Sequence, residues 1–251
     1  LDQRQYEKAR SGFTDALELN PNHGEALLGM ARLLLILGKP DEANKYAEKA
    51  LKVASKDADT WYVAGEIMRQ QRKFAVALRH YGSAINIADQ HLPARISRAA
   101  VLLDLGRYDD ALEDINYTRT ILKRDPQTLY LYALIMSHKG NYKEAEEALR
   151  LASNAMDERD PEFVVNHPPS LLLRGLIEYS RRRFNEAYPL LSRYVDLIPA
   201  HVGARKILGA LLLRRKEPNA AIKILEPTLE MAPTDPELMS LLGSAYMANK
   251  Q

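Results

Sequence analysis

Histidine is the side chain in this sequence most able to do chemistry near neutral pH, because it can bind a metal or transfer a proton. The chain has six histidines and no cysteine, so thiolate metal sites and disulfides are excluded. No two histidines stand four positions apart, the spacing that places two ligands on one helical face. We therefore expect solvated or helix-capping histidines and no metal site. They are His23, His80, His91, His138, His167 and His201.

Other patterns that carry catalytic chemistry are also missing. The glycine spacings of nucleotide-binding loops, G-x-G-x-x-G and G-x-x-x-x-G-K, do not occur. The neighbouring carboxylates Glu146 and Glu147 belong to a charged helix face. These observations predict no catalytic residue, no cofactor and no enzymatic activity.

The charge balance limits the class of partner. The net charge is only +2, which argues against a surface for nucleic acid. Apolar runs fall far short of the roughly 20 residues that span a bilayer, so no membrane span is expected. Cations gather at predicted helix ends in SRRRF and LRRKE, where the helix dipole favours them. Contact with an anionic partner is the alternative, and it would use Arg181, Arg182, Arg183 and Arg215.

Small residues return at a fixed interval along the whole chain. A shift of 34 residues aligns two columns, and the interval in each column is constant except for one step of 42. Two amphipathic helical segments alternate around these columns, with Pro or Asp between them. The pattern predicts pairs of helices that cross closely at the small residues. The columns are Ala31, Gly65, Ala99, Ala133, Gly175, Gly209, Gly243 and Ala9, Ala43, Ala77, Ala111, Ala145, Ala187, Ala221.

The unit 58–91 shows the pattern most fully. Its marker residues are Trp61, Gly65, Ala77, Tyr81 and Ala84. A helix–turn–helix unit of 34 residues with these markers resembles the tetratricopeptide repeat (TPR). The resemblance covers the chain and implies an all-α, right-handed TPR superhelix (an α-solenoid), with about six complete helix pairs and a half repeat at each end. The predicted repeats form one continuous array over 1–251: 1–23 (second helix only), 24–57, 58–91, 92–125, 126–159, an insertion at 160–167, 168–201, 202–235 and 236–251 (first helix only).

Both ends of the sequence cut through a predicted repeat. The helix in 1–23 lacks its partner, and the apolar helix in 236–251 lacks the helix that would follow it. Solenoids normally close with a polar cap. We therefore expect a fragment of a longer array, able to self-associate end to end through its truncated repeats.

The TPR resemblance implies that the first helix of each pair lines a concave groove. The outward positions of these helices are apolar and rich in tyrosine, a composition typical of recognition surfaces. We predict that the groove holds a peptide or a helix of a partner protein. Two alternatives are a polysaccharide module whose tyrosines stack on sugar rings, and a regulatory array of a larger protein whose catalytic domain is absent here. The predicted groove residues are Arg32, Tyr62, Glu66, Arg69, Tyr130, Leu134, Tyr179 and Arg214.

A narrower resemblance covers residues 166–227. HPPSLLLRG and ARKILGALLLRRKEPNAAIKILEP are similar to the repeat region of bacterial TPR lipoproteins of the exosortase/PEP-CTERM type. Those proteins are associated with exopolysaccharide production. The resemblance implies an envelope-facing scaffold, periplasmic or membrane-anchored; without it, a cytoplasmic location is expected.

The insertion 160–167, DPEFVVNH, accounts for the single long interval. Pro161 and Pro168 argue against one continuous helix across it. Residues 163–165 are too apolar for a surface loop that makes no packing contacts. We expect the insertion to cover the seam between the repeats on either side of it; a contact with a partner is the alternative.

Overall fold

Helices make up nearly all of the chain that can be described. The computed structural model describes residues 3–249, which form α-helices and one short 3-10 helix, without β-strands. The predicted all-α fold is therefore confirmed. The first two residues of repeat 1–23 and the last two of repeat 236–251 lie outside the described range. The chain divides into two compact units, unit 1 up to Lys123 and unit 2 from Arg124.

Unit 1 consists of consecutive helices that pack as pairs. Its helices are α1 (Gln3–Leu19), α2 (Gly24–Ile36), α3 (Pro40–Val53), α4 (Ala58–Gln70), α5 (Phe74–Ile87), α6 (Leu92–Asp104) and α7 (Tyr108–Ile121). The closest packing joins α2 with α3, α4 with α5 and α6 with α7, as the columns predicted. The first helices of successive pairs also touch, α2 with α4 and α4 with α6.

Unit 2 repeats this arrangement with two local differences. Its helices are α8 (Pro126–His138), α9 (Tyr142–Asp157), α10 (Pro161–Asn166), α11 (Pro168–Ser180), α12 (Phe184–Leu197), α13 (Val202–Arg214), α14 (Pro218–Leu225) and α15 (Pro236–Asn249). The main pairs are α8 with α9, α11 with α12 and α13 with α14. One difference is α10, which fills the insertion. The other is that α14 gives way to a 3-10 helix, Glu226–Glu230, where Pro227 offers no N–H to continue the helix.

The first helix of each pair begins at a side chain that caps it. Asp57 accepts a hydrogen bond from the N–H of Thr60 at 2.9 Å. His91 does the same through Nδ1, from the N–H of Ala94 at 3.1 Å. These caps recur every 34 residues except for one step of 42, from Asp125 to His167, and four of the six histidines are among them, as predicted. The capping residues are His23, Asp57, His91, Asp125, His167, His201 and Asp235.

Small residues let the paired helices cross closely. A Cβ added to Gly65 of α4 would lie 2.5 Å from Cε1 of Tyr81 on α5. A Cβ added to Gly209 of α13 would lie 2.5 Å from Cδ2 of Leu225 on α14. Gly243 on α15 shares the sequence column, but no such atom lies within 4 Å of it. The predicted close crossing is therefore confirmed at Gly65 and Gly209.

The turns between paired helices contain a residue in the left-handed backbone conformation. Three turns use glycine there, at Gly38, Gly106 and Gly140. The three equivalent turns use cations, at Arg72, Arg182 and Lys216, with φ of 59°, 61° and 61°. The left-handed region costs a non-glycine residue about 1 kcal/mol or more. The favourable position of a cation at a helix C-terminus offsets part of this cost.

The insertion forms a short helix that closes a gap in unit 2. Asp160 begins α10 by accepting from the N–H of Glu162 at 3.0 Å. Val164 is 5% exposed and packs with Met156 and Ile177 in one buried cluster. Phe163 is 48% exposed, and its ring stacks on His167 at 4.9 Å. Val164 thus covers the seam between α9 and α11, as predicted, while Phe163 stays at the surface.

Candidate functional site

The part of the chain that the structure describes offers no cluster typical of metal chemistry. Within residues 3–249, no group of three or more His, Asp, Glu or Cys side chains could hold a metal ion. Every helix in that range is too short or too polar to cross a bilayer. The predicted groove residues lie instead on the first helices of the pairs, in both units.

The first groove residue of unit 1, Arg32, takes part in a hydrogen bond between two first helices. Arg32 of α2 donates from Nη2 to Oδ2 of Asp59 on α4 at 2.7 Å. Because Nδ1 of His91 accepts from Ala94, its Nε2 carries the proton and donates to Oδ1 of Asp59 at 3.0 Å. Partial burial raises the pKa of Asp59, but Arg32 and His91 lower it overall. The Tyr62 ring lies 5.2 Å from the His91 ring.

Glu66 is the acceptor at the centre of a second hydrogen-bonded group in unit 1. Tyr81 donates its hydroxyl to Oε1 of Glu66 at 2.6 Å, and Arg69 donates from Nη2 to Oε2 at 2.7 Å. Burial alone would raise the pKa of Glu66, but Arg69 and the hydrogen bonds from Tyr81 and Ser97 lower it overall. Burial and the Glu66 charge together raise the pKa of Tyr81. The structure thus brings Tyr62, Glu66 and Arg69 into one surface; Tyr62 and Tyr81 lie 6.3 Å apart between ring centroids.

In unit 2 the predicted groove residues are mostly apolar. Tyr130 of α8 is half-buried, this burial raises its pKa, and its hydroxyl is hydrogen bonded to Ser180 of α11. The Tyr179 ring lies 5.6 Å from Phe184, and the Arg214 guanidinium lies 5.5 Å from the same ring. Ser180 follows Tyr179 directly, so Tyr130, Tyr179 and Arg214 share one region. Leu134 is half-buried on α8.

The four arginines predicted to contact an anion have different surroundings. Arg181 is largely buried, lies 3.6 Å from Oε1 of the buried Glu178 and also bonds Ser153. Arg183 is half exposed and lies 3.8 Å from Oε2 of Glu178. Arg215 pairs with Glu217 at 2.8 Å. Arg182 is exposed and has no ion pair within the described residues. Of the four, Arg181 is the one whose charge is used inside unit 2, through its contacts with Glu178 and Ser153.

A charged cluster in unit 1 was missed by the sequence reasoning. Asp114 of α7 is 1% exposed and accepts from Nε of Arg98 at 2.6 Å and from Nη1 of Arg95 at 3.1 Å. The Arg95 guanidinium also lies 3.8 Å from the Tyr117 ring. The signal that could have found it is the pairing of arginines on α6 with an aspartate on α7, the facing helix of the same pair. The cluster is an internal ion pair of the third helix pair of unit 1.

Comparisons with known families agree with the helix pairing. One tetratricopeptide repeat model matches residues 1–67 and 179–245, and another matches residues 96–161. A model described as anaphase-promoting complex, cyclosome, subunit 3 matches residues 41–118.

Individual relatives are distant and mostly much longer than this chain. Anaphase-promoting complex subunit 3 of Schizosaccharomyces pombe is 24% identical over 131 residues, which cover 52% of this chain and 20% of that protein. The fold is similar to a chain in the crystal structure of the APC/C hetero-tetramer Cut9-Hcn1. The TM-score is 0.69, with 18% identity, over 96% of this chain and 46% of that chain. It is also similar to YrrB, described as a TPR protein with an unusual peptide-binding site. The TM-score is 0.51, with 20% identity, over 76% of this chain and 95% of YrrB.

The likeness to solved structures shows the fold, and the family models show the sequence relation. The matches named here lend no support to a link with exosortase or exopolysaccharide systems. The first tetratricopeptide model alone covers more than half of the 251 residues. The chain therefore belongs to the tetratricopeptide repeat family.

Proposed function

We propose that the chain is a protein-interaction scaffold whose first-helix faces hold a peptide or a helix of a partner protein. The observation that carries this proposal is a set of partly exposed tyrosines held in place by contacts within the chain. Tyr62 rests against His91, Tyr130 bonds Ser180, and Tyr179 packs on Phe184. Tyrosine offers apolar area with a polar tip, and a side chain already held in place loses less entropy on binding.

The groove residues of each unit suit a different kind of bound segment. In unit 1, Arg32 and Asp59 are about half exposed, with 45% and 51% of their side chains accessible. Arg69, on the same helix as Asp59, is 46% exposed. Such alternating charges can pair with the backbone and polar side chains of an extended segment. In unit 2 the half-buried Leu134 and Tyr179 present apolar area, which suits the apolar stripe of a helix.

The relatives add a reason to test peptide binding first. YrrB is described as having a peptide-binding site, and that property belongs to YrrB. Applied to this chain, it supports a peptide or helix as the bound species. Because the chain spans only 20% of the length of its anaphase-promoting relative, the activity and partners of that longer protein are not transferred.

The test is affinity purification from the host organism with single groove variants. Tyr62→Ala and Tyr130→Ala each remove a groove tyrosine, whereas Tyr142→Ala removes one that is 70% exposed on the second helix α9. We expect the partner to be retained by wild type and Tyr142→Ala. Binding of the purified partner to each groove variant, measured by calorimetry, should weaken about tenfold or more.

The proposal fails if a groove variant that keeps its circular dichroism spectrum binds the partner as tightly as wild type. Crosslinks from the bound partner should then map away from α4 and α8. Loss of binding in Tyr142→Ala alone would place the contact on the second helices.

The envelope role implied by residues 166–227 remains a prediction, since none of the relatives named above supports it. The polysaccharide alternative predicts that oligosaccharides change the tyrosine fluorescence of the chain. The regulatory-array alternative predicts a catalytic domain encoded in the same gene. Neither has a structural observation that favours it over protein binding.

A further inference from the structure

A basic cleft lies at the helix turns of unit 2, and we name it the arginine cleft. It is a shallow, open depression with a volume of about 610 Å³. Its lining includes Arg182, Arg183, Phe184, Arg214, Arg215 and Glu217. The cleft lies where α11 and α13 end and their partner helices begin, and it borders the predicted groove of unit 2 at Arg214.

Two of its arginines are left available for a partner. Arg215 pairs with Glu217, and Arg183 approaches the buried Glu178. Within residues 3–249, by contrast, no carboxylate pairs with Arg182 or Arg214. Both are exposed, so their charges face solvent across the cleft.

The backbone at Arg182 gives a second reason to look for a ligand. Its φ of 61° lies in the left-handed region, where three of the equivalent turns carry glycine. An arginine tolerates this conformation less well than glycine does. A strained non-glycine residue at an exposed turn is grounds for a functional hypothesis.

An aromatic floor orients the other free arginine. The Arg214 guanidinium lies 5.5 Å from the centroid of the Phe184 ring, and the Tyr179 ring packs against Phe184. A guanidinium stacked over a ring keeps its N–H edges free to donate two parallel hydrogen bonds to one carboxylate. The exposed part of the floor can also accept an apolar side chain next to that carboxylate.

We propose that the arginine cleft binds an acidic peptide segment of a partner protein. Carboxylates of the segment accept hydrogen bonds from Arg182 and Arg214, and an adjacent apolar side chain rests on Phe184. Glu186 and Glu217 also line the cleft and repel the continuous charge of a nucleic acid, and the net charge of +2 adds no attraction for one. A peptide with spaced carboxylates avoids that repulsion.

The test is fluorescence anisotropy on the whole chain with two labelled peptides. One alternates glutamate with leucine, and the other alternates glutamine with leucine. We expect the glutamate peptide to bind at least tenfold more tightly, with an affinity that falls as salt is raised. Arg182→Gly and Arg214→Gln should each weaken its binding about tenfold. The matched control is Arg150→Gln on α9, since Arg150 already pairs with Glu147 at 2.6 Å.

Arg182→Gly separates a binding role from a structural one. Because glycine suits the left-handed backbone, the melting temperature should not fall while the affinity does. Equal binding of the two peptides, or wild-type affinity in both variants, overturns the proposal. Tighter binding of a single-stranded oligonucleotide of the same charge would assign the cleft to nucleic acid and overturn it as well. Tyr62→Ala should leave the peptide affinity unchanged, so failure here is distinguishable from failure of the groove proposal.

Discussion

Replacement of Gly65 by alanine tests whether the close crossing of α4 and α5 limits stability. The added methyl group would lie 2.5 Å from Cε1 of Tyr81, far inside van der Waals contact. Tyr81 is fully buried, and its hydroxyl is held by Glu66 at 2.6 Å, so the ring has little room to move. Overpacking of this kind costs about 2 to 3 kcal/mol. Alanine regains about 1 kcal/mol of helix propensity over glycine. The expected net loss for Gly65→Ala is about 1 to 2 kcal/mol of unfolding free energy.

The matched control is Gly82→Ala on the neighbouring helix α5. No atom outside the helix backbone lies within 4 Å of a Cβ added there. The same change should therefore show only the propensity gain, about 1 kcal/mol of added stability. The two variants should differ by about 2 to 3 kcal/mol, although their compositions are identical.

Urea unfolding followed by tryptophan fluorescence measures this difference within unit 1. Trp61 is the single tryptophan and lies on α4, where its Nε1 donates to the carbonyl of Ser55 at 2.8 Å. The midpoint should fall for Gly65→Ala and rise for Gly82→Ala, with the slope of the transition unchanged. Equal midpoints for the two variants would refute the reasoning, because the Tyr81 ring would then make room for the methyl group at no cost.

Three further changes test other contacts. Glu66→Gln should lower the unfolding free energy at pH 7 by about 2 kcal/mol. The pKa of Glu66 is lowered in the folded state, so its contribution is present above the unfolded-state value of about 4.3 and is lost as the pH falls further. The gap between variant and wild type in urea titrations should therefore close at acidic pH; a constant gap would show that the charge is not responsible. Asp114→Ala leaves two arginines facing a buried site without their carboxylate and should cost about 3 kcal/mol in urea unfolding, and a loss below 1 kcal/mol would mean that water replaces it. Val164→Ala should cost about 1 to 2 kcal/mol in a thermal melt, whereas Phe163→Ala should change little, and equal effects would contradict the seam-covering role of α10.

The repeat interval predicted the helix pairs because packing imposes it directly on the sequence. Gly65 must be small since Tyr81 occupies the space a side chain would need, and this requirement recurs at Gly209. A constraint that recurs at a fixed spacing is visible in one sequence without any relative. Proline is a local signal of the same kind, because it is tolerated in the first turn of a helix, and Pro40 and Pro218 begin the second helices α3 and α14.

Contacts that occur only once could not be predicted in this way. The pairing of Arg98 with Asp114 depends on which faces of α6 and α7 meet, and charge alone does not determine that. The left-handed conformation at Arg182 could not be predicted from the sequence, because an arginine, unlike a glycine, does not indicate a positive φ. The candidate groove was predicted only as a set of positions. The sequence does not show which of its charged side chains are already paired. The pairing of Arg69 with Glu66, for example, is visible only in the side-chain geometry.

The helix caps also make the sequence modular. At each seam between pairs, a side-chain oxygen or ring nitrogen accepts a hydrogen bond from the third N–H of the next helix. Asp57 provides this acceptor before α4, and His91 provides it before α6. If the chain is cut after Asp57 and rejoined at Leu92, a whole repeat is removed, and Asp57 takes the place of His91 before α6. We expect α6 to start normally in such a shortened chain, because its first turn again has an acceptor in front of it. A cut placed inside a helix pair would instead separate Gly65 from Tyr81. Insertion or loss of repeats during evolution is therefore easiest at the capped seams.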